Sequence, residues 1–246
     1  MTEVAAASVF VDNEGVRIHA LDNGRTGASA PPVLVVPGMG EYADEYDWLL
    51  DALGDRRVVI VDVRGRGRSD VPLAGYRWED HIGDLRAVVD ASRLEQPIVV
   101  AFSRGSSYAL GYALTYPAEL RGLVIGDYFA RHVGLPAQVA DQQLTSKIRG
   151  VPIADRMAEH AVRQVVAESR EVPLWNRLTE LQCPVLVIRG GSKGALIGDE
   201  LAVQWQASLP SVELAMLPDA GHDLWSRDLD AYLAVLVPFL ERVSAE

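Results

Sequence analysis

Four short runs of almost purely apolar residues constrain the fold more than any other feature of the sequence. They are VLVVPG (33–38), VVIVDVRG (58–65), PIVVAF (97–102) and PVLVIRG (184–190), with LRGLVIGD (120–127) and VELAMLP (212–218) as weaker examples. Strands without polar alternation are buried on both faces, which is typical of a parallel sheet covered by helices. The pattern therefore predicts an α/β protein.

The stretches between these runs are long enough for the crossover helices that parallel strands require. We expect helices near 41–54, 79–92, 104–116, 199–208 and 228–243. Near the start, SVFVD and VRIHALD alternate in polarity and are joined by NEG, which predicts an antiparallel hairpin at one edge of the sheet. The predicted architecture is a mostly parallel eight-stranded sheet with helices on both faces.

Residues 131–178 interrupt this alternation of strands and helices. The stretches AQVADQQLTSKI and IADRMAEHAVRQVVAES carry apolar residues at helical spacing, and no strand-like run occurs there. We expect a short helical cap, inserted after the sixth strand and lying over the carboxyl edge of the sheet. The predicted domains are a first part of the core at 1–130, the cap at 131–178 and a second part of the core at 179–246.

Charge and composition narrow the classes of partner. A formal net charge of −11 repels the phosphates of nucleic acids and anionic lipids, so a small-molecule substrate is expected, with neither nucleic acid nor membrane as partner. The N-terminal stretch has no signal-peptide pattern and the chain has one cysteine, which favours a cytoplasmic protein. Neither metal-ligand spacing nor a dinucleotide fingerprint is present, so we expect no metal and no cofactor.

The stretch VVAFSRGSSYAL (99–110) contains a candidate nucleophile, Ser103. It follows an apolar strand and precedes a helix, and a serine on such a tight turn is exposed at the carboxyl edge of the sheet. The turn needs small residues two positions before and after, and Ala101 and Gly105 supply them. The alternative is that Ser103 only caps the helix that starts at Arg104.

Acyl transfer through a serine also needs donors for the developing oxyanion. One is expected from the residue after the nucleophile, Arg104, and the other from a loop after an earlier strand. The sequence PGMG (37–40) follows the first apolar run and offers the N–H of Met39. An ordinary glycine turn is the alternative for PGMG.

Two further stretches carry a resemblance to a known family. The stretch DVRGRGRSD (62–70), with Asp62, Arg64, Gly65, Gly67 and Ser69, resembles the D-x-R-G-x-G-x-S stretch of the α/β-hydrolase superfamily. LPDAGHDLW (217–225) resembles the loop after the family's final strand, in which the catalytic histidine would be His222. The resemblance runs over nearly the whole chain and implies a catalytic triad in the order serine, acid, histidine.

The acid of this triad is left open. Relatives usually place it a few residues beyond the glycine after the seventh strand, but this chain reads RGGSKG (189–194) and has no carboxylate there. Asp127, at the end of the sixth strand, is the favoured candidate. Asp199 is the alternative, although it is typical of an acid in the first turn of a helix. A third possibility is that neither residue serves.

The resulting prediction is a serine hydrolase that cleaves an ester or lactone of a small organic molecule through an acyl-enzyme on Ser103. His222 would act as the base and Asp127 would orient it. The same scaffold also carries C–C bond hydrolases, lyases and cofactor-free haloperoxidases, and a non-catalytic ligand-binding relative is a further alternative.

Several residues near the expected site are candidates for substrate binding. Tyr42, Tyr128 and Trp225 are expected to line an aromatic cavity. Arg131 and His132, at the entrance to the cap, are candidates to receive an anionic group of the substrate. The alternative for such an arginine is an ion pair with a nearby acidic residue.

Overall fold

The computed structural model describes residues 6–27 and 29–245, and its centre is one eight-stranded sheet. The strands are β1 (Ala7–Asn13), β2 (Val16–Asp22), β3 (Val33–Val36), β4 (Val58–Asp62), β5 (Ile98–Phe102), β6 (Gly122–Gly126), β7 (Val185–Gly190) and β8 (Glu213–Leu217). They lie in the order β1-β2-β4-β3-β5-β6-β7-β8. The pairs β1–β2 and β2–β4 are antiparallel and the others are parallel, so the predicted sheet is confirmed.

Helices cover both faces of the sheet. They are α1 (Trp48–Ala52), α2 (Trp78–Ser92), α3 (Arg104–Thr115), α4 (Gln138–Thr145), α5 (Glu159–Ala167), α6 (Asp199–Ser208) and α7 (Leu229–Ala245). Side chains of α2, α3 and α6 pack in one apolar core and those of α1 and α7 pack in another, on the opposite face. Every residue of β3, β4, β5 and β6 is therefore buried, which explains why these strands lack polar alternation.

The helix expected at 41–54 is shorter than predicted. A 3₁₀ turn at Ala43–Tyr46 precedes α1, and the N–H of Ala43 donates to the Asp62 carboxylate at 2.6 Å. Asp62, at the end of β4, also accepts from the N–H of Arg68 at 2.8 Å and contacts Nδ1 of His19 at 2.7 Å. A side chain at Gly67 would overlap this carboxylate. The D-x-R-G-x-G-x-S stretch thus ties the loop after β3 to the end of β4.

Residues 131–178 form an inserted segment between β6 and β7. It contains the two expected helices, α4 and α5, and the apolar face of α5 packs against Tyr76 and Ile153. The expectation that no strand occurs there is wrong. Arg131–His132 pairs with Val172–Pro173, and Lys147–Ile148 pairs with Val151–Pro152. Strands of two residues are too short to leave an alternating pattern in the sequence.

The second of these two-residue pairs is a hairpin, which we call the ribbon (147–152). Its turn residues, Arg149 and Gly150, have φ values of 47° and 81°. Two successive residues with positive φ form the kind of two-residue turn that matches the twist of a hairpin. Across residues 6–27 and 29–245, the structure contains no helix with the length and apolarity needed to cross a membrane.

Candidate active site

Ser103 lies on a strained turn between β5 and α3. Its backbone has φ 50° and ψ −131°, and its N–H donates to the carbonyl of Gly126 at 2.9 Å. A side chain at Gly105 would overlap the carbonyl oxygens of Pro37 and Val36, so the packing of α3 against the neighbouring strand requires glycine there. The hydroxyl of Ser103 makes no capping hydrogen bond to α3, which does not support the helix-cap alternative.

His222 lies in the loop after β8 and reaches Ser103. The distance from its Nε2 to Oγ of Ser103 is 2.8 Å, and its Nδ1 lies 2.8 Å from Oδ2 of Asp127. A proton on Nδ1, donated to the carboxylate, leaves the Nε2 lone pair facing the serine hydroxyl. The loop after β8, which we call the histidine loop, is also bonded to the loop after β7, because the N–H of Ser192 donates to the carbonyl of Ala220 at 2.9 Å.

Asp127 follows β6 and is fully buried. Its Oδ2 accepts from the N–H of Leu196 at 2.7 Å, and its Oδ1 accepts from the N–H of Ile197 at 3.1 Å. The loop after β7, which lacks the family's usual carboxylate, thus donates two amides to the carboxylate on the neighbouring strand. Asp127 has a positive φ of 42°, a conformation that aspartate tolerates better than most residues.

Asp199 lies away from His222. It is the first residue of α6, its side chain is 90% exposed, and it accepts from Arg189 at 2.7 Å. The structure therefore brings Asp127, and not Asp199, to the histidine. That Asp127 acts in catalysis stays a prediction.

The two expected oxyanion donors lie beside the nucleophile. Met39 and Arg104 both line the cavity next to Ser103. Among residues 6–27 and 29–245, no protein acceptor is bonded to the N–H of either residue. The N–H of Gly38, one residue earlier, donates to Oε2 of Glu41 at 2.8 Å, so the loop after β3 uses this amide for its own structure and leaves that of Met39 free.

Known proteins share this arrangement of strands. A family model described as the alpha/beta hydrolase fold matches residues 31–130. An esterase from Exiguobacterium antarcticum superposes with a TM-score of 0.80 at 18% identity, covering 96% of this chain and 100% of the esterase. The chain has the α/β-hydrolase fold.

Two sequence relatives extend over most of this α/β-hydrolase. It is 24% identical to N-formylmaleamate deformylase of Pseudomonas putida over 271 residues, 98% of each chain. It is 25% identical over 252 residues to a Bacillus subtilis (strain 168) protein provisionally named 2-succinyl-6-hydroxy-2,4-cyclohexadiene-1-carboxylate synthase, covering 85% of this chain and 89% of that protein. The chain is accordingly an enzyme of the α/β-hydrolase type.

A cavity of about 470 Å³ opens beside Ser103 in this α/β-hydrolase. Its walls come from the loop after β3, the nucleophile turn, Tyr128, the histidine loop and residues 135–149 of the inserted segment. Tyr128 is therefore placed as the sequence predicted, although its role in binding stays a prediction. Burial raises the pKa of its hydroxyl to about 12, an effect that Arg104 opposes, so the hydroxyl keeps its proton at neutral pH.

Two other aromatic residues expected in the cavity do not line it. Trp225 is buried in the core, with ring centroids 4.7 Å from Phe102 and 5.1 Å from Tyr46. The ring of Tyr42 lies against the guanidinium of Arg156, 5.5 Å away. Both expectations are wrong, because the ring of Trp225 packs in the core and the ring of Tyr42 lies against Arg156.

Arg131 and His132 also lie outside the cavity lining. Arg131 is exposed and pairs with Glu171 at 3.6 Å, as its alternative interpretation predicted. His132 is buried in a closed ring of hydrogen bonds: Nη2 of Arg104 lies 2.9 Å from its Nε2, its Nδ1 lies 2.9 Å from Oγ of Ser107, and that hydroxyl donates to the carbonyl of Arg104 at 2.8 Å. Burial and the Arg104 guanidinium lower the pKa of His132 to about 3.

Four charged residues line the cavity that the sequence prediction missed: Glu41, Lys147, Arg149 and Asp223. Glu41 directly follows PGMG and Asp223 directly follows His222, so their positions beside the expected motifs were available signals. Lys147 and Arg149 left no such signal, because the ribbon that carries them was not predicted. Burial raises the pKa of Glu41 despite its hydrogen bonds and the nearby Arg149.

Proposed function

We propose that this α/β-hydrolase is a serine hydrolase that cleaves an ester or lactone of a small organic molecule through an acyl-enzyme on Ser103. The observation that carries the proposal is the chain of two hydrogen bonds, each 2.8 Å, from Ser103 through His222 to Asp127. A serine, an imidazole and a carboxylate in this geometry form the usual apparatus for acyl transfer, whatever the fold.

In the first half of the reaction, Oγ of Ser103 attacks the carbonyl carbon of the substrate while Nε2 of His222 takes its proton. Asp127 keeps the other imidazole proton on Nδ1 and stabilises the charged ring. The N–H groups of Met39 and Arg104 donate to the oxyanion of the tetrahedral intermediate. His222 then returns its proton to the leaving oxygen, and an ester of Ser103 remains.

In the second half, a water molecule attacks the acyl-enzyme. His222 removes a proton from the water, the same two amides hold the second oxyanion, and the proton passes to Oγ of Ser103 as the acid product leaves. The volume of the cavity, about 470 Å³, is typical of a site for a small molecule.

The inserted segment is proposed to act as a cap over the catalytic core, with the core formed by 1–130 and 179–246. The support is that Leu135, Gln143 and Ile148 line the same cavity as the nucleophile. Residues that face the substrate from such a segment select its size and polarity without taking part in bond breaking.

Labelling with a fluorophosphonate probe, together with turnover of p-nitrophenyl esters of varied chain length and a small lactone panel, tests the proposal. We expect stoichiometric labelling of the wild type and loss of both labelling and turnover in Ser103→Ala. Ser106→Ala is the matched control, because Ser106 is a buried serine one turn further along α3 whose hydroxyl has no protein partner among the described residues. Labelling that persists in Ser103→Ala would rule the proposal out.

A second candidate is a reaction other than ester hydrolysis on the same three residues. It is favoured by the relative that is provisionally named a synthase, which is 25% identical to this chain. The same assay separates the possibilities. Labelling of Ser103 without turnover of any ester or lactone points to different chemistry, and absence of labelling in folded protein points to a non-catalytic ligand-binding protein.

A further inference from the structure

Arg149, at the tip of the ribbon, contacts both loops that carry the proposed chemistry. In the loop after β3, its Nη2 donates to Oε1 of Glu41 at 2.8 Å and its Nη1 donates to Oε1 of Glu45 at 3.3 Å. Its Nε donates to Oδ2 of Asp223 at 2.8 Å, in the histidine loop. One guanidinium thus joins three carboxylates that belong to two separate loops.

The backbone of the ribbon is strained at this residue. Arg149 has a φ of 47°, in the left-handed region that residues with a Cβ atom rarely adopt. The guanidinium also lies 5.1 Å from the ring centroid of Trp225, and the side chain is only 24% exposed. A strained backbone that directs a largely buried charge into a cavity is a reason to look for a functional role.

Glu41 connects Arg149 to the proposed oxyanion donor. Its buried carboxylate accepts from the N–H of Gly38 at 2.8 Å and from the hydroxyl of Tyr46 at 2.5 Å, in addition to Arg149. Gly38 directly precedes Met39, so Glu41 fixes the peptide next to the one that would donate to the oxyanion. A buried carboxylate that loses the cation paired with it must become protonated or move toward water, and either change weakens this anchor.

Asp223 connects Arg149 to the proposed base. It is the residue after His222, and its pKa is lowered because hydrogen bonds from Arg149 and Ser226 outweigh the opposite effect of burial. The contact therefore restrains the histidine loop on the side that faces the inserted segment. Without it, the imidazole would be held by Asp127 and by its own loop.

From these contacts we infer that Arg149 is a positioning residue. From the tip of the ribbon it holds the loop after β3, which carries Met39, and the histidine loop in one catalytically competent arrangement. This inference rests on the proposed function, since it requires Ser103 as the nucleophile and Met39 N–H as an oxyanion donor. It predicts an effect mainly on kcat, because Arg149 acts on the transition state through other groups.

Arg163 provides a matched control within the inserted segment. It lies on the surface of α5, donates to Asp141 at 3.0 Å and pairs with Glu159 at 2.8 Å, and does not line the cavity. Arg163→Gln thus removes an arginine and its ion pairs from the same segment, as Arg149→Gln does, without touching either catalytic loop. Exposed pairs of this kind contribute little to stability.

The experiment compares Arg149→Gln, Arg149→Lys and Arg163→Gln in steady-state turnover of the best p-nitrophenyl ester. We expect Arg149→Gln to lower kcat by about 30- to 100-fold, somewhat less than the loss of a whole oxyanion donor, with KM within about threefold. Arg149→Lys should recover only part of kcat, because it keeps the positive charge but a single ammonium cannot donate to Glu41 and Asp223 in the arginine's fork geometry. Arg163→Gln should stay within about twofold of wild type.

A double-mutant cycle with Glu41→Gln distinguishes positioning from general destabilisation. If Arg149 acts through Glu41, the double variant should lose about as much kcat as the worse single variant, whereas independent effects would multiply. Thermal unfolding of each variant confirms that the folded protein is being assayed.

The outcomes separate this inference from the proposed function. An active, probe-labelled wild type with an unchanged Arg149→Gln variant overturns the inference alone, as does an equal loss in Arg163→Gln or a multiplicative cycle. A wild type that neither reacts with the probe nor turns over any substrate overturns the proposed function and this inference with it.

Discussion

Replacement of Asp127 by asparagine tests the acid of the proposed triad. The carboxylate accepts three N–H donors, from His222 at 2.8 Å, Leu196 at 2.7 Å and Ile197 at 3.1 Å. An asparagine has a single acceptor oxygen, so its NH₂ group must face either Ile197, in the place of Oδ1, or both His222 and Leu196, in the place of Oδ2. If it faces His222, Nδ1 has to accept, and the ring proton moves to Nε2. The imidazole then cannot take the proton of Ser103.

The size of the effect follows from this change of tautomer. In a serine protease triad the same substitution lowers kcat by about 10⁴-fold, which is about 5 kcal/mol of activation free energy. Here the asparagine oxygen can also take the place of Oδ2, where it accepts from both His222 and Leu196 and leaves only the Ile197 amide without an acceptor. We therefore expect a loss of about 10³- to 10⁴-fold. Buried donors left without partners should cost about 1–3 kcal/mol in the free energy of unfolding.

Asp199→Asn is the matched control, since it makes the same chemical change at an aspartate whose side chain is 90% exposed. Its ion pair with Arg189 is worth at most about 1 kcal/mol, so kcat should stay within a few-fold of wild type. Turnover of a p-nitrophenyl ester and the rate of fluorophosphonate labelling measure both variants. If Asp127→Asn kept more than a tenth of the wild-type kcat, or Asp199→Asn lost as much, the assignment of the acid would be wrong.

Three further predictions concern other parts of the molecule. Gly105→Ala should lower the free energy of unfolding by about 3 kcal/mol in urea titration, because the added methyl group would overlap two backbone carbonyls. Gly198→Ser is the control: Gly198 is the N-cap of α6 and has open space around it, and serine is a favourable capping residue, so the free energy of unfolding should change by less than about 0.5 kcal/mol. The pKa of His132 falls from 6.5 in the unfolded chain to about 3 in the folded one, so unfolding binds a proton and stability decreases as the pH is lowered from 6.5. His132→Gln should therefore lose less stability than wild type between pH 7.5 and pH 5. Lys147 lines the cavity, and among the described residues no carboxylate lies within 4 Å of its ammonium group. Lys147→Glu should therefore lower kcat/KM about tenfold (~1.4 kcal/mol) for an ester whose acyl chain ends in a carboxylate, but not for the neutral ester of equal length. The control variant Lys193→Glu should change kcat/KM for neither ester.

Each of these predictions has a contrary result. A Gly105→Ala protein as stable as wild type would mean that α3 is not packed as closely on the neighbouring strand as the structure has it. An equal loss of stability in His132→Gln and wild type at pH 5 would mean that this imidazole is not held neutral. Equal effects of Lys147→Glu on charged and neutral esters would show that its charge does not reach the acyl chain.

The sheet could be predicted from local features of the sequence. Residues in β3, β4, β5 and β6 are buried on both faces, and this burial demands the apolar runs from which the strands were predicted. The position of Ser103 was also local information, because a turn between a buried strand and a helix requires small neighbours such as Gly105. His222 was predicted from a loop that immediately follows a strand.

The sequence favoured Asp127 as the acid but left open Asp199, or neither residue. Strands β6 and β7 are parallel neighbours, so the loops that follow them end at the same edge of the sheet. Whether Asp127 or Asp199 reaches His222 depends on how the loop after β7 folds back. The structure decides it, since Leu196 and Ile197 point their amides at Asp127 while Arg189 binds Asp199 at the surface.

The contacts between the ribbon and the two loops beside Ser103 could not be predicted from the sequence. Arg149 meets Glu41 across 108 residues of sequence and Asp223 across 74, through a ribbon whose strands are two residues long. Apolar periodicity reports which side of an element is buried, because burial acts on every turn of a helix and every second residue of a strand. A single ion pair between distant loops leaves no such repeat in the sequence, and only the packed chain brings its partners together.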